Sequence, residues 1–215
     1  KSPHLLAGRK IKAAVIGCGR MGAFTSQSII EFSPKCWFPL SHIEALKAFQ
    51  DIEIVAISDS NIETLEKAKN KFSIKKTYLN PIELLECEQI DLLCIATRSK
   101  GRAELIEKAV GKGIKALHVE KPICNSSKEL IRLKSILSES DVYITFGAIR
   151  RFLEPYKIAK KYISSGQIGE LLSITIEHNR SMLLWTHPHS IDLCLYFASE
   201  RQFQNVSATF ANFVF

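Results

Sequence analysis

The stretch Lys12-Ala13-Ala14-Val15-Ile16-Gly17-Cys18-Gly19-Arg20-Met21-Gly22 decides the fold of this chain of 215 residues. A short apolar run reads as a buried strand, and the G-x-G-x-x-G spacing after it reads as a strand-to-helix turn. Each glycine has its own physical reason. Gly17 permits the tight turn, Gly19 lets a pyrophosphate approach the backbone, and Gly22 lets the next helix pack closely. A helix opening there presents free N–H groups and the positive end of its dipole to phosphates. This helix is expected to run through about Phe32. A tight turn with no ligand would use the same residues, so the motif needs company. Arg20 either reaches the phosphates or is simply solvated.

Working outward, apolar β-branched runs alternate with helical patterns, the signature of βαβ units and a parallel sheet. Strands are expected at 12–16, 52–57, 76–78, 91–96, 116–119 and 142–146. Helices are expected at 62–71, from Pro81, at 102–110 and at 127–137, the last capped by Ser126 or Ser127. After Gly147 the pattern changes. A helix at 155–163, a one-face-exposed strand at 171–177, a helix at 187–198 and a strand at 206–215 are expected. The fold class is therefore α/β: a doubly wound parallel sheet over residues 1–147, then an α+β domain beginning at 148–215. An apolar strand at the chain's end implies that this second domain is incomplete or completed by a partner. The opening Lys1, in place of Met, likewise reads as an upstream segment removed.

Composition narrows the classes. The formal charge of +7 is spread among acidic residues, as in Glu63-Thr64-Leu65-Glu66-Lys67-Ala68-Lys69, which reads as solvated helix faces and not as a nucleic-acid interface. The 6 cysteines include no C-x-x-C pair. They read as small buried hydrophobes in a reducing compartment, with no metal site. No run approaches a membrane span and no signal segment opens the chain, so the cytoplasm is the expected location.

Two further positions give the glycine turn its company. Asp59 ends the second strand, where a carboxylate can hold both ribose hydroxyls of NAD and repel the 2′-phosphate of NADP. Its distance from the glycines exceeds the usual interval of about 20 residues. The excess is assigned to an inserted loop around Pro34-Lys35-Cys36-Trp37-Phe38-Pro39-Leu40-Ser41-His42. The alternative role for Asp59 is a helix cap. Val119-Glu120-Lys121-Pro122 then places a lysine at the carboxyl end of a strand, where doubly wound sheets bind ligands.

With these residues in hand, the chain resembles the glucose–fructose oxidoreductase/inositol dehydrogenase (Gfo/Idh/MocA) family. The matching elements are the glycine turn, Asp59, Ile95-Ala96-Thr97, Glu120-Lys121-Pro122, Arg151-Phe152-Leu153-Glu154-Pro155, Gly166-Gln167-Ile168-Gly169-Glu170-Leu171 and His189-Ser190-Ile191-Asp192. The resemblance implies a Rossmann domain followed by a substrate domain whose open, mostly antiparallel sheet often mediates homo-oligomerisation. It implies NAD as cofactor, with NADP possible, held by Gly17, Gly19, Arg20, Met21, Gly22, Asp59, Ala96, Thr97, Glu120 and Lys121. It implies oxidation or reduction of a sugar, polyol or nucleotide-sugar hydroxyl or carbonyl.

In that reading Lys121 sits near nicotinamide and the substrate hydroxyl, and His189 is the acid/base, since histidine titrates in the useful range. Asp192, one helical turn on, either orients His189 or holds a substrate hydroxyl. Two departures stand out. Trp185 occupies a position that is acidic in many members, and there either stacks on a ring or is core; His187 is a substitute or a structural residue. Arg98 replaces a frequent proline and either meets an anionic substrate or is solvated. Arg150 completes the candidate substrate residues. A catalytically silent dinucleotide sensor of the same fold is the alternative function.

Overall fold

A computed structural model describes residues 9–178, 183–199 and 204–209. The chain divides into two compact units, Lys1–Gly147 and Ala148–Phe215.

The first unit is a parallel sheet of six strands: β1 (Ile11–Ile16), β2 (Ile52–Ser58), β3 (Lys76–Tyr78), β4 (Leu92–Ile95), β5 (Ala116–Val119) and β6 (Tyr143–Phe146). Their order is β3-β2-β1-β4-β5-β6, so the winding reverses between β1 and β4. Such a reversal opens a crevice at the carboxyl ends of the strands. The helices are α1 (Gln27–Phe32), α2 (His42–Lys47), α3 (Ile62–Phe72), α4 (Pro81–Cys87), α5 (Arg102–Gly111) and α6 (Ser127–Ser138).

Both faces of the sheet are covered. Alternate side chains of β1 enter different cores, because successive residues of a strand point to opposite faces. Ala13 and Val15 join Ile43 and Leu46 of α2 with Leu65, Ala68 and Phe72 of α3. Ala14 and Ile16 join Leu84, Ile106, Leu117 and Leu133 on the other side. Asn61, Asn80 and Ser126 cap α3, α4 and α6 by accepting backbone N–H groups. Asn61, and not Asp59, is therefore the cap of α3.

The helix expected after the glycine turn is broken. Ala23 N–H donates to Gly19 O, making one turn. The chain then leaves, forms α1 and a short 3-10 turn at Lys35–Trp37, and returns at His42. On its return His42 N–H donates to Met21 O at 2.8 Å and Ile43 N–H to Gly22 O at 2.9 Å. In an uninterrupted helix those carbonyls would accept from Thr25 and Ser26. The excursion is thus residues 25–41, longer than the expected loop and partly helical. The physical reason is local: Ser26 starts a new helix, and Ser41 caps α2 by accepting from Glu44 N–H. Asp59 follows Gly22 by 37 residues. Without the 17 residues of the excursion the interval is 20, in line with the usual value of about 20.

The second unit contains a 3-10 turn at Ile149–Phe152, α7 (Glu154–Ser164) and α8 (Leu183–Phe197). The strand expected at 171–177 does not form, nor does one at 206–209; residues 210–215 lie outside the described residues. A strand needs a neighbour to satisfy its ladder, and no strand pairs with either segment among the described residues.

Candidate active site

Parallel pairing sets four loops level with one another. Ile16 pairs with Ser58 and with Ile95, and Ile95 pairs with Val119. The next residues are Gly17, Asp59, Ala96 and Glu120, so the sequence-predicted positions of this unit emerge side by side at the carboxyl edge of the sheet. Gly17 has φ +95° and lies against β4: an added Cβ would be 2.7 Å from the carbonyl carbon of Ala96. Gly22 is tighter still, since a Cβ there would lie 1.7 Å from Gly17 O. Around Gly19 a Cβ would meet nothing within 4 Å, which leaves the backbone open for a ligand to approach.

The Asp59 carboxylate accepts from Cys18 N–H at 2.7 Å and from Asn61 N–H at 2.8 Å. It therefore holds the glycine turn as well as facing the site. A carboxylate has about four lone-pair positions, so room remains for two hydroxyls. Cys18 lies beneath the turn, its thiol pushed up to about 12 by burial and by the charge of Asp59. Cys18 and Cys94 are buried as expected, whereas Cys87 is exposed.

Thr97 Oγ1 is buried with no hydrogen-bond partner among the described residues. An orphaned hydroxyl beside an open glycine backbone and a half-used carboxylate is a donor set that fits a dinucleotide. Arg20 is exposed and lines a hollow of about 350 Å³ with Gly19, Phe24, Ser26, Thr64 and Lys67. A larger hollow of about 630 Å³ lies at the opposite ends of the strands, among Lys12, Glu53, Lys76 and Gln89. Ligands of doubly wound sheets bind at the carboxyl ends, so the smaller hollow is the relevant one.

Three residues of this site were not singled out from the sequence. Arg102 at the start of α5 is 2% exposed, and its guanidinium donates to Glu120 O at 2.7 Å and to Thr97 O and Pro122 O. It ties the loop after β4 to the loop after β5. His42 Nε2 donates to Glu120 Oε1 at 3.2 Å, and its ring meets that of His118 edge-on at 5.0 Å between centroids. Burial alone would raise the Glu120 pKa. The hydrogen bond from His42 and the charges of His42, His118 and Lys121 outweigh it and hold the carboxyl below its ordinary value. Burial, followed by the charge of His42, pushes the His118 imidazole down against the opposing pull of Glu120. An Arg directly after Gly101, at the start of a helical pattern, was the only sequence signal for these contacts.

This constellation matches a known pattern. A family model described as an oxidoreductase family with an NAD-binding Rossmann fold, GFO_IDH_MocA, covers residues 11–148.

The chain belongs to the Gfo/Idh/MocA oxidoreductase family.

Named dehydrogenases resemble it further. A myo-inositol 2-dehydrogenase from Thermotoga maritima is 28% identical over 160 residues, 74% of this chain and 42% of that protein. A scyllo-inositol 2-dehydrogenase (NAD(+)) from Bacillus subtilis is 27% identical over 161 residues, 75% of this chain and 42% of that protein. The scyllo-inositol dehydrogenase of Lactobacillus casei, solved with NAD(H) and scyllo-inositol, superposes with a TM-score of 0.72 at 20% identity, over 88% of this chain and 56% of that one. This last likeness is one of fold. The chain spans about two fifths of the length of the curated Gfo/Idh/MocA relatives above.

In the second unit of this Gfo/Idh/MocA chain, α8 carries Trp185, His187, His189 and Asp192. Asp192 is 6% exposed, and its carboxylate is held by Arg151, whose Nε donates at 2.9 Å and whose second nitrogen also donates. The structure thus gives Asp192 an arginine partner from the Arg151-Phe152 motif. His189 is half-buried beside Ser190, whose hydroxyl is 2.6 Å from His178 Nε2. His187 packs edge-on against His178 at 5.5 Å. Arg150 is half-buried in the 3-10 turn, and Arg98, in the first unit, is exposed. Only the backbone of Trp185 is described, within α8.

Proposed function

We propose that this chain is the cofactor-binding domain (1–147) and the start of the substrate domain (148–215) of an NAD-dependent dehydrogenase. The reading has it act on a CH–OH group of a sugar, polyol or nucleotide sugar. The observation that carries it is the Glu120-Lys121 turn, level with the Gly19 cradle and Asp59 at one edge of the sheet. The relatives that resemble the chain are named as inositol dehydrogenases, which supports the substrate class.

The chemistry divides between groups. Bound nicotinamide supplies or accepts hydride, while the protein orients and polarises. Residues 17–22 and Thr97 hold the dinucleotide, and Asp59 selects against a 2′-phosphate by charge. Lys121, as an ammonium, stabilises the alkoxide character that an alcohol acquires as hydride departs. His189 takes the hydroxyl proton, and returns it in the reverse direction. Arg98, Arg150, Trp185, His187 and Asp192 remain candidates for the substrate side. A homo-oligomeric state and a cytoplasmic location belong to the same reading; free thiols at Cys87 and Cys124 suit a reducing compartment.

Fluorescence titration with NADH and NADPH tests the cofactor half. NADH is expected to bind at least about tenfold more tightly, and binding of neither removes the reading. Oxidation of myo- and scyllo-inositol, followed by NADH formation, tests the rest. Lys121→Ala is expected to lose about 100-fold or more in kcat while keeping its NADH affinity. If NADH binds but a protein carrying the complete substrate domain turns over neither the inositols nor a panel of other polyols, sugars and nucleotide sugars, the sensor reading replaces the dehydrogenase one.

A further inference from the structure

The sheet ladder fixes two of the site loops only at their first residues. Ala96 N–H donates to Ile16 O at 2.7 Å, and Glu120 N–H donates to Ile95 O at 2.9 Å. Thr97 and Lys121 come next, beyond the ends of β4 and β5. Arg102 takes over there. Its Nη1 donates to Glu120 O at 2.7 Å and to Pro122 O, the two carbonyls that flank Lys121, and its Nη2 donates to Thr97 O. Its backbone N–H donates to Ser99 O at 3.2 Å, closing the loop after β4 from the other side. One guanidinium thus spans both loops. Burial pushes its proton affinity down, against the opposing charge of Glu120. An apolar side chain at the head of α5 would fill the space without the cost of a buried cation. It could not hold carbonyls of two loops with one rigid fork of donors.

The place of these loops in the sheet gives the contact its meaning. A doubly wound sheet takes a dinucleotide as two mononucleotide halves, across the point where the strand order reverses. Here that point lies between β1 and β4. Asp59 follows β2, on the side of the adenosine ribose that such an acid serves. The carbonyls that the Arg102 guanidinium holds all follow β4 or β5, on the other side. Thr97 Oγ1, buried with no partner among the described residues, sits on one of the residues so held.

We propose that Arg102 is a positioning residue for the nicotinamide half of the cofactor site: it sets the spacing of Thr97 and the Lys121 turn beyond the sheet, and leaves the adenosine half to Asp59 and the glycine turn. The inference rests on the dehydrogenase reading.

Calorimetric titration with NADH and with ADP, which carries the adenosine and two phosphates but no nicotinamide, separates the halves. Arg102→Lys keeps the charge and replaces the fork by one compact ammonium. Its NADH affinity is expected to fall about tenfold, while its ADP affinity stays within about twofold of the unmutated value. The emission of bound NADH at saturation, which comes from the reduced nicotinamide, should fall as well. A variant that merely loosened the domain would weaken both ligands together. Arg102→Gln carries the same test if circular dichroism shows Arg102→Lys unfolded. An unchanged NADH affinity in a folded variant, or ADP affinity falling in step with NADH, overturns the proposal. Binding of neither ligand by the unmutated chain is a different failure: it removes the dehydrogenase reading, and this inference with it.

Discussion

The backbone N–H of His42 donates to the carbonyl of Met21 at 2.8 Å, completing a helical turn whose two halves are separated by the whole of residues 25–41. None of the residues of α1 is buried, so the excursion adds little to the core, and closing a loop costs entropy that grows with its length.

Joining Phe24 directly to His42, with residues 25–41 removed, is therefore expected to leave the fold intact. Urea unfolding should show a stability unchanged or raised by about 1 kcal/mol. A fall of more than about 2 kcal/mol would mean that the excursion is part of the core after all.

Gly22→Ala is expected to do the opposite. Its methyl would sit 1.7 Å from Gly17 O, which is backbone and cannot turn aside. The glycine turn must shift, at a cost of about 3 kcal/mol, and NADH affinity should fall with it. Gly19→Ala, which meets no protein atom, should keep its stability in urea and lose only cofactor binding.

Arg102→Leu removes the charged donor that holds the carbonyls of Thr97, Glu120 and Pro122. Those buried acceptors would be stranded, and the loss is expected to be about 3 kcal/mol or more. Amide exchange should quicken first at residues 97–101 and 120–124. Equal quickening across all six strands would contradict the local role given to Arg102.

Stability should also rise with pH on the acid side. The Glu120 carboxyl lies below its ordinary value in the folded protein, chiefly because its hydrogen bond and neighbouring charges outweigh burial, and the His118 imidazole is lowered by burial. For both groups the unfolded chain binds protons more readily, so protonation favours unfolding. Their contribution is complete above the unfolded histidine range near about 6.5. It shrinks as pH falls through the folded His118 value, and again through the folded Glu120 value below about 4.3. Thermal midpoints measured across this span should climb with pH, and Glu120→Gln should flatten the acid limb.

Most of the first unit was legible because its cues are local. Val15-Ile16 before Gly17, Ile57-Ser58 before Asp59 and Leu117-His118-Val119 before Glu120 each pair a buried run with a residue that stops it. An insertion was legible from the long spacing to Asp59, but its start after Phe24 was not: what defines it is a hydrogen bond from His42, distant in the chain. His42 and Arg102 escaped for a related reason, since their partners come from other loops. The strand expected at 171–177 had the alternating pattern but no described neighbour to pair with, and pattern alone supplies only one side of a ladder.

The re-entry of the chain at His42 also bears on how such proteins are compared. His42, by its bond to Met21 O, resumes the turn that the chain leaves at Phe24, although 17 residues lie between them, so sequence count is a poor ruler for this turn. Chains that differ here by any length of insert can present the same glycines and the same acid at the same separation in space. An alignment that penalises the gap will rank such proteins as remote, whereas one that counts helical steps from Gly22 will find Asp59 in register.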